Sequence, residues 1–333
     1  MNILFIGGTG FISTAVSNEA IARGFNLYLL NRGSRKKEIP GSRNLIADIR
    51  NPREVLDAIK SVQVDVVVDW IAFTPEDIER DLMLFRNRIR QFIFISSASV
   101  YQKPPVRDTV TESIPLHNPY WDYSRNKIAC EERLMKAYHD EGFPATIVRP
   151  SFTYDKYIPV AIGGFGCYTL ADRLKKGKPI IVHGDGSSLW VMTHAEDFAR
   201  GFTGLIGNEQ TVGHAFHITS DEVLTWDQIY RTIAGVLGVE ANLIHIPTEF
   251  IVQVAPRLTG TLLGDKAWSV KFDNSKIKHF VPYFEALIPF QEGIRRTIDW
   301  FDSDETRKRV DDIIQKEMDD ILSAYTSRPG VST

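Results

Sequence analysis

Seven residues at the start of the chain constrain its fold more than any others. Gly7-Gly8-Thr9-Gly10-Phe11-Ile12-Ser13 follows a short apolar run, Asn2–Ile6, and leads into Ser13–Arg23, a stretch with helical spacing that Gly24 ends. A glycine-rich string between a strand and a helix lets the backbone turn tightly and approach a pyrophosphate, whose charge then rests on a helix N-terminus. The spacing is Gly7-x-x-Gly10-x-x-Ser13, with serine where a third glycine is usual, and serine is small enough for close helix–strand packing.

The pattern repeats. Phe25–Leu30, Val64–Trp70 and Gln91–Ser96 read as strands without polar alternation, as does Ala145–Arg149. Pro52–Ser61, Glu76–Arg86 and Tyr123–His139 read as helices between them. Continuous apolar strands separated by helices imply a parallel sheet covered on both faces, a doubly wound α/β architecture. We expect residues 1–150 to form a dinucleotide-binding domain and 151–301 mainly a smaller substrate lobe, with some strands returning to the main sheet. Residues 302–333 are expected to form an amphipathic helix and tail. Its apolar stripe runs from Val310 to Tyr325, with Ser303 as N-cap, and must be buried on the chain's own body or on a second copy in a homodimer.

Composition narrows the partners. With 39 basic and 42 acidic side chains, the net charge of −3 disfavours nucleic acid held by phosphate neutralisation. Two cysteines, Cys130 and Cys167, offer neither a disulfide framework nor a cysteine zinc site, and the chain fits a reducing cytoplasm. No stretch has the length of apolar sequence a membrane span requires. His183 and His194, with Asp185 and Asp197, match no compact ligand motif, so no metal is expected.

The end of the second strand bears on the cofactor. Asn31-Arg32-Gly33-Ser34-Arg35-Lys36-Lys37 carries no carboxylate to hold a ribose 2′-hydroxyl and four basic residues suited to a 2′-phosphate. This favours NADP, with NAD as the alternative, since Asn31 can itself bond a ribose hydroxyl. Tyr123 and Lys127 lie four apart on one helical face, and an ammonium near a phenol favours its ionised form. That pair is common by itself. It gains weight from Ser96-Ser97-Ala98-Ser99 at the C-terminal end of a buried strand, where open α/β sheets place ligands.

These residues resemble the short-chain dehydrogenase/reductases, in particular the extended or atypical branch of NAD-dependent epimerase/dehydratases. The likeness is carried by GGTGFIS (7–13), ISSASVY (95–101), YSRNK (123–127) and VRPSFTY (148–154). HGDG (183–186), THAEDFARGF (193–202) and EGIRRTIDWF (292–301) extend it. It implies a Rossmann fold with a C-terminal substrate lobe, and hydride transfer at a carbinol carbon of a sugar-like or polyhydroxylated small molecule. Ser97, Tyr123 and Lys127 then resemble the catalytic set. Gly7, Thr9, Gly10, Phe11 and Ile12 match the pyrophosphate loop, Asp48 and Ile49 the adenine contacts, and Trp70, Ala72 and Pro150 the nicotinamide surroundings. Ser99, Phe152 and Trp190 join Ser97 as substrate candidates. Trp190 either lines a pocket or packs in the lobe.

Departures from the family pattern are informative. Trp190 and Val191 stand near where an arginine commonly binds a sugar nucleotide's diphosphate, and Phe152 where an asparagine commonly meets substrate, so UDP- and dTDP-sugars are expected to bind poorly. Arg173 could restore a diphosphate contact from elsewhere. Relatives of this branch also include RNA-binding or regulatory proteins that keep the fold, which is the alternative reading.

Overall fold

The computed structural model describes residues 1–33 and 38–328. Arg35, Lys36 and Lys37 of the basic string lie outside the described residues, as does the end of the tail. The strands of the main sheet are β1 (Asn2–Ile6), β2 (Asn26–Asn31), β3 (Arg43–Ile46), β4 (Val66–Asp69), β5 (Gln91–Ile95), β6 (Ala145–Arg149) and β7 (Ala215–His217). They pair in the order β7-β6-β5-β4-β1-β2-β3, every pairing parallel.

The side chains of β1 show why these strands lack polar alternation. Leu4 and Ile6 enter a core with Val67, Phe92 and Phe94, covered by helices α2 (Pro52–Ile59), α3 (Pro75–Phe85) and α4 (Asp122–Glu141). Ile3 and Phe5 enter a second core on the opposite face with Val66 and Val68, covered by α1 (Phe11–Ala22) and the helix Ala195–Thr203. Apolar burial on both faces is the main stabilising force.

The lobe has its own core, built around Tyr154, Trp190, Trp226, Phe290 and Phe301. Short two-stranded ladders frame it: Phe152–Tyr154 pairs with Met192–His194, and Ile180–His183 with Leu243–Ile246. Strand β7 comes from this part of the chain and hydrogen-bonds to β6 at the sheet edge.

The C-terminal helix spans Asp312–Thr326, and its N-cap is Asp311, whose carboxylate accepts from Ile313 N (3.0 Å) and Ile314 N (3.2 Å). The expected cap, Ser303, instead ends the preceding helix, Phe290–Asp302. A 3₁₀ turn at Glu305–Arg307 separates the two, and a caesura of that kind leaves no cue in apolar spacing. Met318, Ile321 and Leu322 bury against Ile181, Ile246, Phe250 and Ile251, so the helix docks on its own chain, while Ile313 stays exposed.

Candidate active site

The glycine loop leaves β1 at its C-terminal end. Gly7 has φ +83°, and a Cβ there would come within 2.5 Å of the Ile71 side chain, so the position requires glycine twice over. Ser13 is more than small. Its hydroxyl accepts from Gly10 N (2.8 Å) and donates to Gly7 O (3.2 Å), tying the loop to the first turn of α1. The N–H groups of Phe11 and Ile12 belong to that first turn, where no intrahelical acceptor exists.

The loop borders a cleft of about 660 Å³. Gly7, Thr9, Gly10, Phe11, Ile12, Asn31, Arg32, Asp48, Ile49, Trp70, Pro150, Ser97, Tyr123 and Lys127 all line it. Ala72 does not; it is buried, and its carbonyl oxygen accepts from Lys127 Nζ at 2.7 Å. Arg32 is exposed on the cleft rim. The Asp48 carboxylate is engaged by Arg50 (2.6 Å), which, with help from the Arg32 charge, holds it well below the usual carboxylate range.

Tyr123 lies in the first turn of α4, and Lys127 follows one turn later. The structure differs here from the expected phenol–ammonium pairing. Lys127 Nζ donates to two carbonyls, Ala72 O and Ile95 O, both at 2.7 Å, and lies 5.8 Å from the centre of the Tyr123 ring. Burial lowers Lys127 to about 8, and burial raises Tyr123 to about 12 against the opposing pull of the Ser97 hydroxyl. The phenol is thus protonated at neutral pH.

Of the substrate candidates, Ser97 alone lines the cleft. Ser99 is buried beneath it, 2.9 Å from Ser97 Oγ, and accepts from Ser124 Oγ at 2.7 Å. Trp190 packs into the lobe core, 2% exposed, with its ring 5.6 Å from Trp226, because a large indole in an apolar lobe gains most by burial. Phe152 is half-buried between the cleft residue Tyr157 (6.4 Å) and the ammonium of Lys266 (4.8 Å). Arg173 is spent elsewhere: 1% exposed, it donates to Gln315 Oε1, Asp319 Oδ1 and Pro179 O.

Several cleft residues left no readable mark in the sequence. Phe165, from the loop Gly163-Gly164-Phe165-Gly166, meets Tyr157 (4.2 Å) and Phe11 (5.6 Å) across the opening. Arg80 lines the cleft while bonding Asp69, Asp77 and Asp81. Asp69, buried at the end of β4, accepts from Ile71 N (2.6 Å) and Ala72 N (2.8 Å) and so shapes the turn that holds Lys127. Its signal was one carboxylate in an otherwise apolar strand. Burial and the Asp69 charge raise Asp81 well above the carboxylate range.

A glycine-rich βα turn at the heart of a doubly wound sheet, with serine, tyrosine and lysine at the strand ends, defines a Rossmann-type fold of the extended short-chain dehydrogenase/reductase kind. The chain belongs to the NAD dependent epimerase/dehydratase family, whose model matches residues 3–219. It is 29% identical over 267 residues to the chloroplast stem-loop binding protein of 41 kDa b from Arabidopsis thaliana, covering 74% of this chain and 67% of that one. It is 22% identical over 288 residues to 2'-dehydrokanamycin reductase from Streptomyces kanamyceticus, covering 86% and 80%. Among solved structures, UDP-glucose 4-epimerase from Bifidobacterium longum, in complex with NAD+ and UDP, superimposes with a TM-score of 0.74. That match is at 16% identity and covers 92% of this chain and all of that one (100%). Among the described residues no helix is long and apolar enough to cross a membrane.

Proposed function

We propose that this enzyme moves a hydride between nicotinamide and a carbinol carbon of a sugar-like or polyhydroxylated substrate, with Tyr123 as acid/base. The observation that carries the reading is the meeting of Ser97, Tyr123 and Lys127 with the glycine loop in one cleft. A nicotinamide dinucleotide fits the groups present. Trp70 Nε1 and Ser96 Oγ are buried on the cleft wall without a hydrogen-bond partner among the described residues, a state native proteins seldom tolerate without a ligand or water. When bound, the nicotinamide supplies a two-electron hydride donor or acceptor.

The chain's own groups do the rest. Phe11 and Ile12 N–H would hold the pyrophosphate and Arg32 a 2′-phosphate, which favours NADP over NAD. Lys127, already fixed by two carbonyls, has one N–H left for the ribose. Ser97 would donate to the substrate oxygen. Because burial keeps Tyr123 protonated, its resting form is a general acid, suited to giving its proton to a carbonyl oxygen during reduction.

Tyr123→Phe tests this. Reduced cofactor should bind within about twofold of wild type, while its oxidation by a carbonyl compound selected from a screened panel falls about 10²–10⁴-fold. Turnover at the wild-type rate would remove Tyr123 from the mechanism. The name of the Arabidopsis relative favours a second reading, stem-loop binding. The net charge of −3 opposes it, and a gel shift with a stem-loop RNA at physiological salt distinguishes the two.

A further inference from the structure

Behind Ser97 lies a short line of hydroxyl groups. Ser97 caps the 3₁₀ turn Ala98–Val100, its Oγ accepting from Ser99 N at 3.2 Å. Ser99 Oγ lies 2.9 Å from Ser97 Oγ, and Ser124 Oγ donates to Ser99 Oγ at 2.7 Å. Ser124 follows Tyr123 on α4. A helical serine commonly turns its hydroxyl to a carbonyl one turn back, whereas Ser124 reaches across to the turn that follows β5. The backbone of that turn is pinned on both sides of Ser97's neighbours. Ala98 N donates to Pro150 O (2.8 Å), and Ser99 O accepts from Asn118 Nδ2 (2.8 Å), which also donates to Gly264 O (2.7 Å).

Proton counting gives this line a direction. Each hydroxyl has one proton to give and two lone pairs to fill. Ser124 spends its proton on Ser99. Ser99 is only 2% exposed, so bulk water does not serve it. Among the described residues, the acceptor within reach of the Ser99 proton is Ser97 Oγ. Were Ser97 to donate to Ser99 instead, the Ser99 proton would be buried without an acceptor, a costly state. Ser99 therefore donates to Ser97. Both lone pairs of Ser97 are then taken, one by Ser99 N–H and one by Ser99 O–H, and its own proton is left for the cleft it lines. An oxygen seated there must accept. A carbonyl oxygen does so, while an alcohol that turns its proton toward Ser97 finds no lone pair free.

We propose that Ser99 and Ser124 are positioning residues that hold the Ser97 hydroxyl as a donor, so that the cleft selects the carbonyl form of its substrate over the alcohol. The nature of the bound oxygen rests on the function proposed above; the direction of the three hydroxyls does not. Neutron diffraction from perdeuterated, cofactor-saturated crystals places each deuteron. That of Ser124 should lie toward Ser99, that of Ser99 toward Ser97, and that of Ser97 toward the cleft. A Ser97 deuteron aimed at Ser99 overturns the proposal.

Kinetics adds a readout that a merely structural role would not move. The probes are the carbonyl compound selected from the screened panel and its alcohol as product inhibitor. Ser99→Ala frees one lone pair of Ser97. It should lower kcat/KM for the carbonyl compound and tighten inhibition by the alcohol, each about two- to tenfold, with cofactor affinity within about twofold of wild type. Ser124→Ala, which lets Ser99 accept from Ser97, should shift both constants the same way by a smaller factor. Ser99→Thr, which keeps the hydroxyl, should restore wild-type values. Constants that stay put, or carbonyl and alcohol weakening together, overturn the proposal. If no carbonyl compound of the panel is turned over, the function proposed above fails, and the deuteron positions still decide the hydroxyl line.

Discussion

Lys127 and Ala72, 55 positions apart, are joined by a 2.7 Å hydrogen bond from ammonium to carbonyl. The Ala72 N–H is in turn held by Asp69, and Asp69 by Arg80, so the lysine is positioned by a turn that a buried carboxylate shapes. Its placement owes nothing to the Tyr123 oxygen.

That burial has a pH signature. Lys127 falls from 10.5 to about 8 in the folded chain, so between those values the unfolded chain binds more protons and stability rises with pH. The unfolding free energy of wild type minus that of Lys127→Met should climb across pH 8 to 10.5, by up to about 3 kcal/mol. A difference that stays flat in denaturant titrations over this window would show that the cation is not desolvated.

Cofactor choice rests on Arg32. A charge-assisted bond from its guanidinium to a 2′-phosphate is worth about 1.5–3 kcal/mol, roughly tenfold to a hundredfold in affinity. Calorimetry should show NADP binding more tightly than NAD in wild type and the two nearly equal in Arg32→Ala. A preference for NADP that survives Arg32→Ala would move the recognition to another group.

Gly7→Ala should be costly to the fold as well as to binding. The added methyl meets Ile71 at 2.5 Å in a left-handed backbone. We expect a loss of about 1–3 kcal/mol in unfolding free energy and a collapse of cofactor affinity. Ser13→Ala, which removes only the hydroxyl that ties the loop, should cost less, about 1 kcal/mol. Reversal of that order in chemical denaturation would refute the account of the loop.

Arg173 holds the last helix from below, bonding Gln315 and Asp319. Arg173→Met should destabilise the protein by about 2 kcal/mol and speed amide exchange within Asp312–Thr326, leaving the cofactor dissociation constant unchanged. Weakened binding of UDP-sugars in this variant would instead give Arg173 the diphosphate role it lacks here.

What could be read from the sequence was whatever lies close together along the chain. Gly7 to Ser13 is one turn of backbone, and Tyr123 and Lys127 are one turn of helix, so spacing alone placed them. The apolar runs of β1, β4 and β5 announced a sheet covered on both faces. Phe165 and Arg80 are single residues of ordinary type, brought to the cleft only by tertiary packing, and no local pattern marks them. Trp190 was open between a pocket wall and the lobe interior, since chain position does not separate the two, and the size of the indole places it in the lobe core beside Trp226. Ser303 lost its capping role to Asp311 because apolar periodicity locates a helix face better than a helix end.

Strand β7 gives the enzyme a mechanical character. The chain leaves the sheet after β6, builds part of the lobe, returns to stitch β7 onto the sheet edge, and leaves again. Two bodies sewn together in this way are tied at the sheet edge as well as through the chain, so a pull on the lobe is carried into the sheet by the backbone ladder between β6 and β7. At the cleft mouth a second, far lighter tie runs between the same bodies: the ring of the glycine-flanked Phe165, which reaches from the lobe to Phe11 on the nucleotide side.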